Sequence, residues 1–459
     1  MVRSASQWMQ RLRSMFRIRA SETSLYKRIF KNFSISLTGS LGLSLLNIAW
    51  IAILTKSLSI ADYGYVIIVV NLFSTILAFL SFRVGDALFR FYPEFNLRKE
   101  ERPISGLLFV SFLLSISVGI ITSVSLYIFA DDIARAWYDN ADLARLFRLY
   151  AFVAPLSSLT GMNQALLRLK DRYLLITTHQ IIGRVLRIVA VVVMFFVLGM
   201  KGITYAVAAL LIGEVYTQGS LLISMLYVLK LRLFRATPIK ALRSLKPFRK
   251  NLVSTFVQTN IMGYLRLFAS PGDTFLVGIF STPEQVAFYS IATTLTRMFN
   301  LYINNARTSI TPEITTLYAE GRFRHLHKFF ARQFVVGVLI AAPIFLAFVL
   351  FGKPVIALLS KPQYLSAYTV ILVFILNYLS SFQFIGFYPL AMVMNKLGLR
   401  NLYMLGAVFA TFLAIFTVGL NALTMALLGL LRTLGLNYGF NLPLYFQIRR
   451  MARASGKKG

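Results

Sequence analysis

Five arginines of this chain stand where charge is hardest to keep: Arg184, Arg187, Arg266, Arg297 and Arg432 all fall inside long apolar stretches. A guanidinium at the centre of a bilayer costs roughly 3 kcal/mol or more unless it faces a cavity or a partner. Arg184 and Arg187 are three residues apart, so on a helix they share one face. Carboxylates at comparable positions are fewer. Glu214 lies in the middle of its stretch, and Asp273 stands seven residues after Arg266, on the same helical face. An excess of guanidinium over carboxylate suits an anionic, phosphate-type ligand, which arginine binds through paired hydrogen bonds. A cavity for lipophilic cations would lean acidic instead. The competing reading is internal: the arginines pair with Glu214, Asp273 or backbone carbonyls, or snorkel to an interface, which suits Arg432 near a helix end. Glu214 reads in two ways as well, as a site for H⁺ or Na⁺ or as the partner of Arg184 or Arg187.

Arg83, Asp86 and Arg90 follow one another at helical spacings of three and four just before Pro93. They form a same-face ladder at a membrane edge, either gating and capturing phosphate or simply anchoring the helix there. Thr259, Asn260 and Gly263, with Ser270-Pro271-Gly272 further on, predict an interruption in the seventh apolar helix, of the kind that lines transport cavities. With no cysteine, thiol chemistry, disulfides and Cys/His metal sites are excluded. His179, His325 and His327 are too scattered for a metal centre. The 40 Phe and 22 Tyr could stack on sugar rings, but most must pack helices, so none is assigned to the site.

The elements that carry these residues follow from composition. The 459 residues are 57% hydrophobic and 14% charged, with mean hydropathy +0.69; a soluble domain has about 25% charged residues. Apolar stretches long enough to cross a core of roughly 30 Å recur along the whole chain, and inside lipid such stretches must be helices. Twelve are expected: 33–55, 64–83, 104–130, 145–168, 173–200, 202–229, 252–280, 284–304, 331–352, 365–391, 398–419 and 422–446. The short alternating segments of a β-barrel are not seen. The fold class is an all-α polytopic membrane protein.

Charge tests this map. Of the 48 Lys and Arg, 36 fall in or at the edges of alternate connecting segments on one side, 7 on the other, and 5 deep within the spans. Basic residues accumulate on the cytoplasmic side, so both termini are placed there. The formal charge of +32 is therefore topological, and no soluble stretch is long enough for a basic nucleic-acid-binding domain. Residues 1–31 carry Trp8, Met9, Leu12, Met15 and Phe16 at helical spacing among arginines, which predicts an amphipathic helix on anionic lipid rather than a cleaved leader. A six-span unit over 32–229, a basic linker over 230–251, a second six-span unit over 252–446 and a basic tail over 447–459 complete the expected organisation.

The two units look related. LSIADYGYVII leads through a span to FRFYPEF, and FSTPEQVAFYSIA leads through a span to TPEITTLY. Each pairs a Ser-containing turn with an acidic residue (Asp62 or Glu284), then a small residue (Gly64 or Ala287), then Pro-Glu at the far end. Gly64 to Pro93 is 29 residues and Ala287 to Pro312 is 25, a difference of about one helical turn. Six spans per unit give both copies the same orientation, related by an axis along the membrane normal.

These two stretches, one per half and in order across nearly the whole chain, resemble the signatures of polysaccharide-export flippases of the O-antigen translocase type. That superfamily also holds the MATE multidrug exporters and the lipid II flippases. Ala287 departs from the glycine often found in the second copy, a mild change. The resemblance implies two six-helix bundles around a central cavity, in the MATE-like fold. It implies transport of a polyprenyl-pyrophosphate-linked oligosaccharide from the inner to the outer leaflet of the bacterial cytoplasmic membrane by alternating access, without a cofactor. Coupling to H⁺ or Na⁺ stays open, with Glu214 and Asp273 as its candidates. The expected associations are the lipid-linked oligosaccharide, anionic membrane lipids, and a polysaccharide polymerase and glycosyltransferases, with the chain itself a monomer. On this reading the five arginines line a cavity for the pyrophosphate while the polyprenyl tail stays in lipid. Two alternatives stand beside it. A MATE-type drug antiporter would want acid in the first two spans, which hold no carboxylate before Asp86 apart from Asp62 in the turn. A glycan polymerase or ligase would want a large outer loop, and the longest, 131–144, is short.

Overall fold

The computed structural model describes residues 20–138, 140–200, 202–229, 240, 243–250, 252–253, 256–257, 260 and 271–454. Arg266, most of the amphipathic segment 1–31, most of the linker 230–251, and Thr259, Gly263 and Ser270 lie outside the described residues. Every regular element among those described is helical. In chain order they are α1 (Ala20–Ser57), α2 (Ile60–Leu80), α3 (Val84–Leu97), α4 (Glu101–Ile128), α5 (Ala130–Tyr138), α6 (Asp142–Ala151), α7 (Ala154–Ser157), α8 (Thr160–Leu169), α9 (Tyr173–Val192) and α10 (Ile203–Val228). After the linker come α11 (Pro271–Phe280), α12 (Pro283–Ala319), α13 (Phe323–Leu359), α14 (Ala367–Phe382), α15 (Phe387–Val393), α16 (Leu397–Val418), α17 (Ala422–Leu434) and α18 (Leu442–Ala454).

Among the described residues, eight helical stretches are long and apolar enough to cross a membrane. The other expected spans differ for visible reasons. Span 145–168 is broken into α6, α7 and α8 around Pro155, which has no amide hydrogen to give a helix. Span 284–304 is the first part of α12, a 37-residue helix that runs well past its expected end. Span 422–446 is α17, a π-helical stretch Gly435–Asn441 and the start of α18. Span 252–280 is described only in part.

One large buried core runs through both halves and includes Leu58, Tyr63, Ala287, Tyr289 and Tyr364. Toward the end where the basic segments gather, it divides. One separate core contains Val84, Leu88, Leu107, Met162 and Leu221 of the first half, with Leu245 of the linker and Leu252 at the start of the second unit. Another contains Ile314, Phe330, Phe387 and Leu444, all of the second. Among the described residues, the shared core therefore joins the halves at one end, while two separate cores form at the other.

The joined end is made by the two related stretches. Ser59 caps α2, accepting from the Asp62 amide at 3.0 Å, and this delivers Gly64 against Pro283. A Cβ on Gly64 would stand 2.0 Å from the Pro283 carbonyl oxygen, so only glycine permits this approach. Around it, Tyr63 Oη and Ser290 Oγ are 3.4 Å apart, Lys361 Nζ donates to the Leu58 carbonyl at 2.8 Å, and Thr55 Oγ1 donates to the Leu359 carbonyl at 3.4 Å. The two copies then diverge. The first stops at Leu80 and restarts after Arg83, whose φ of 41° is left-handed, whereas the second runs unbroken through α12.

Candidate functional site

The first-half cluster is set by a close helix crossing. A Cβ on Gly213 would lie 2.4 Å from the Gly183 carbonyl oxygen, so α9 and α10 meet backbone to backbone. That crossing places Arg184, Arg187 and Glu214 in one layer. Both arginines donate to a single acceptor, Asn47 Oδ1 of α1, Arg187 through Nη2 at 2.7 Å. The Arg187 guanidinium also lies 4.8 Å from the Trp50 ring centroid, and its Nε is buried without a hydrogen-bond partner. Among the described residues, neither arginine has a carboxylate within ion-pair distance. Glu214 instead accepts from Gln218 Nε2 at 2.8 Å, with Ser157 Oγ at 3.5 Å, and Thr160 donates to Gln218 Oε1 at 2.6 Å. Glu214 remains within electrostatic reach of both arginines, and Arg297 of the second half lies within reach of Arg184.

The second-half cluster lines a cavity of about 640 Å³ walled by α11, α12, α14, α16 and α17. Arg432 forks onto Asp273, with Nη2–Oδ2 at 2.7 Å and Nη1–Oδ1 at 3.3 Å. The two side chains are only 11% and 7% exposed, so this is a buried ion pair, and Tyr289 lines the same cavity. One face of α12 supplies Thr293, Arg297, Asn300 and Arg307 to the wall, at spacings of four, three and seven. Arg297 is exposed to the cavity and makes no ion pair among the described residues. Asn377 and Tyr378 of α14 and Thr433 of α17 add amide and hydroxyl groups.

The structure therefore distributes the sequence-derived residues between two places. Arg184, Arg187 and Glu214 sit together in the first half; Arg297, Arg432 and Asp273 line the second-half cavity; Arg266 lies outside the described residues. Arg83 and Asp86 form an ion pair of 2.8 Å at the start of α3, while Arg90 is exposed and lies over the Phe91 ring. Two further participants stand outside that set. Arg307 falls by composition in a basic connecting segment, yet α12 continues through it into the cavity wall. Its signal was the polar spacing that starts at Thr293. Asn47 is a single amide in an apolar helix and offered no periodic signal.

A profile of the polysaccharide biosynthesis protein family matches residues 53–369, well over half the chain. The chain belongs to that family. No curated protein matches it in sequence. Among solved structures, an inward-facing multidrug resistance MATE transporter of the MOP superfamily is similar at a TM-score of 0.67 with 16% identity, covering 90% of this chain and 96% of its own. The lipid II flippase MurJ in an inward closed conformation is similar at 0.67 with 12% identity, covering 91% and 89%. An outward-facing MATE transporter is similar at 0.57 with 16% identity, covering 93% and 96%. At these identities the likeness is one of fold. This member of the polysaccharide biosynthesis family is a multi-pass membrane protein with the helical fold shared by MATE transporters and MurJ.

Proposed function

We propose that this chain is a flippase that moves a polyprenyl-pyrophosphate-linked oligosaccharide from the inner to the outer leaflet for cell-surface polysaccharide biosynthesis. The observation that carries this reading is the excess of arginine over carboxylate, with no carboxylate in ion-pair contact with Arg184, Arg187 or Arg297 among the described residues. Arg184 and Arg187 converge on the neutral Asn47 amide, and Arg297 lies within electrostatic reach from the second half. A diphosphate supplies the missing negative charge, and its oxygens match the guanidinium fork. Thr293, Asn300, Asn377 and Tyr378 offer donors and acceptors to sugar hydroxyls, while the polyprenyl tail remains in lipid. A drug antiporter is less well served, because Asp273, the carboxylate among the described cavity residues, is already neutralised by Arg432.

The separate basic-end cores support a state open toward the basic end, and the higher TM-score to the inward-facing MATE transporter than to the outward-facing one agrees with it. Alternating access then separates the Gly64–Pro283 seam while the two basic-end cores come together. In this reading the membrane is the bacterial cytoplasmic one, and the basic end and both termini are cytoplasmic. Residues 32–229 and 252–446 move as two bundles of a monomer. Basic segments 1–31 and 447–459 rest on anionic lipid. Glycosyltransferases supply the cargo and a polymerase consumes it. Any H⁺ or Na⁺ coupling runs through Glu214 rather than the neutralised Asp273.

The test is an Arg184→Gln/Arg297→Gln variant in cells whose surface glycan depends on this chain. Surface glycan is expected to be lost at an unchanged level of membrane-inserted protein. Normal glycan at a normal protein level would overturn the assignment.

A further inference from the structure

The arginine series of the second half does not end at Arg297. Arg307 is ten residues further along α12, about 15 Å toward the basic end at a rise of about 1.5 Å per residue. It still lines the cavity. On α16, Met404 and Ala407 line the same cavity, and Arg400 stands one turn before Met404, again on the basic side. Tyr388 of α15 connects the two. The Arg307 guanidinium is 5.6 Å from its ring centroid and the Arg400 guanidinium is 5.1 Å from it.

This arrangement differs from the basic residues around it. Arg322, Arg324 and Lys328 are exposed on the surface, as topological charge should be, whereas Arg307, Arg400 and Tyr388 are half-buried at the cavity mouth. An aromatic face within about 6 Å attracts a guanidinium and limits where it moves, and guanidinium groups are suited to phosphate oxygens.

We infer that Arg307, Arg400 and Tyr388 form a second anion station, at the mouth of the cavity, which receives a phosphate-bearing headgroup before it reaches Arg297. The identity of the cargo rests on the flippase reading; the station itself rests on the two arginines held over one ring and on their position. Charges at the rim of a binding site govern association, while groups that hold the bound ligand govern dissociation. The two arginine positions of α12 should therefore separate kinetically.

The experiment uses the full chain in phosphatidylcholine nanodiscs with farnesyl diphosphate as the probe. Arg307→Gln/Arg400→Gln is expected to slow association about tenfold and to weaken its salt dependence, with dissociation changed by less than about twofold. Arg297→Gln is expected to speed dissociation instead. Arg307→Lys/Arg400→Lys, which keeps charge but loses the planar fork, should recover most of the association rate and guards against a misfolded glutamine variant. Adding phosphatidylglycerol separates the two sources of phosphate. If it slows association in the wild type but not in the glutamine variant, ordinary phospholipid also occupies the station, which supports it. Binding by the wild type with unchanged association in both double variants overturns the station alone. No binding of farnesyl diphosphate by the wild type overturns the flippase reading and the cargo with it.

Discussion

Arg432 and the Arg184–Arg187 pair are arginines set within apolar helices in opposite halves of one protein, and they meet the cost of that placement in opposite ways. Arg432 is forked onto Asp273, a full counter-charge supplied by the fold. Arg184 and Arg187 share the Asn47 oxygen, which offers a dipole and no charge. The second-half pair is complete without a ligand. The first-half pair is not, and Arg297 adds a further cation within reach of it. The intramembrane arginines are therefore not one functional set. Removing one member of a complete pair should damage the fold, whereas removing an uncompensated cation should damage ligand binding.

The largest expected effect tests the complete pair. Asp273→Asn leaves Arg432 buried without its counter-charge and should destabilise the protein by about 3–5 kcal/mol. Thermal unfolding of the purified protein reads this, and Asp273→Asn/Arg432→Met should recover most of the loss. An unchanged unfolding midpoint in the single variant would mean that the ion pair does not hold the second half together. The next test converts the first cluster into the second type. Asn47→Asp gives Arg184 and Arg187 a carboxylate at the position of the shared acceptor. Stability should rise or hold, and farnesyl diphosphate affinity should fall by about 1.5–3 kcal/mol, the worth of a hydrogen bond to a charged group. Equal affinity in Asn47→Asp and wild type would place the ligand elsewhere.

What could be read from the residues alone follows the same line between the bulk property and the particular partner. Hydropathy and the alternation of Lys and Arg depend on many residues at once, so the helical membrane fold emerged despite local errors. The paired stretches around Gly64 and Ala287 marked the family, and in the structure they meet at the joined end. Local geometry was less legible. Pro155 breaks an apolar stretch whose average character still resembles a single span. Arg307 was indistinguishable from loop charge because a helix that runs past the membrane edge has the same composition as a connecting segment. The contrast between Asn47 and Asp273 as acceptors depends on which helices touch, which only the Gly183–Gly213 crossing and the cavity walls reveal. Glu214 shows the reverse case: its bond to Gln218 is an i,i+4 pair already present in the sequence.

Glu214 gives the smallest and sharpest test, because it lies between the two types of site. It faces Arg184 and Arg187 electrostatically but spends its hydrogen bonds on Gln218 and, more weakly, Ser157. Glu214→Gln keeps an acceptor for Gln218 and removes one negative charge from the layer. If the first-half arginines are uncompensated by design, farnesyl diphosphate should bind more tightly, by less than about 1 kcal/mol because the carboxylate makes no direct ion pair. Unfolding should change little. The direction is the decisive part, since it is opposite to that of Asn47→Asp. A weaker complex would mean that Glu214 orders the arginines rather than offsetting them, and the first half would then resemble the second more than its hydrogen bonds indicate.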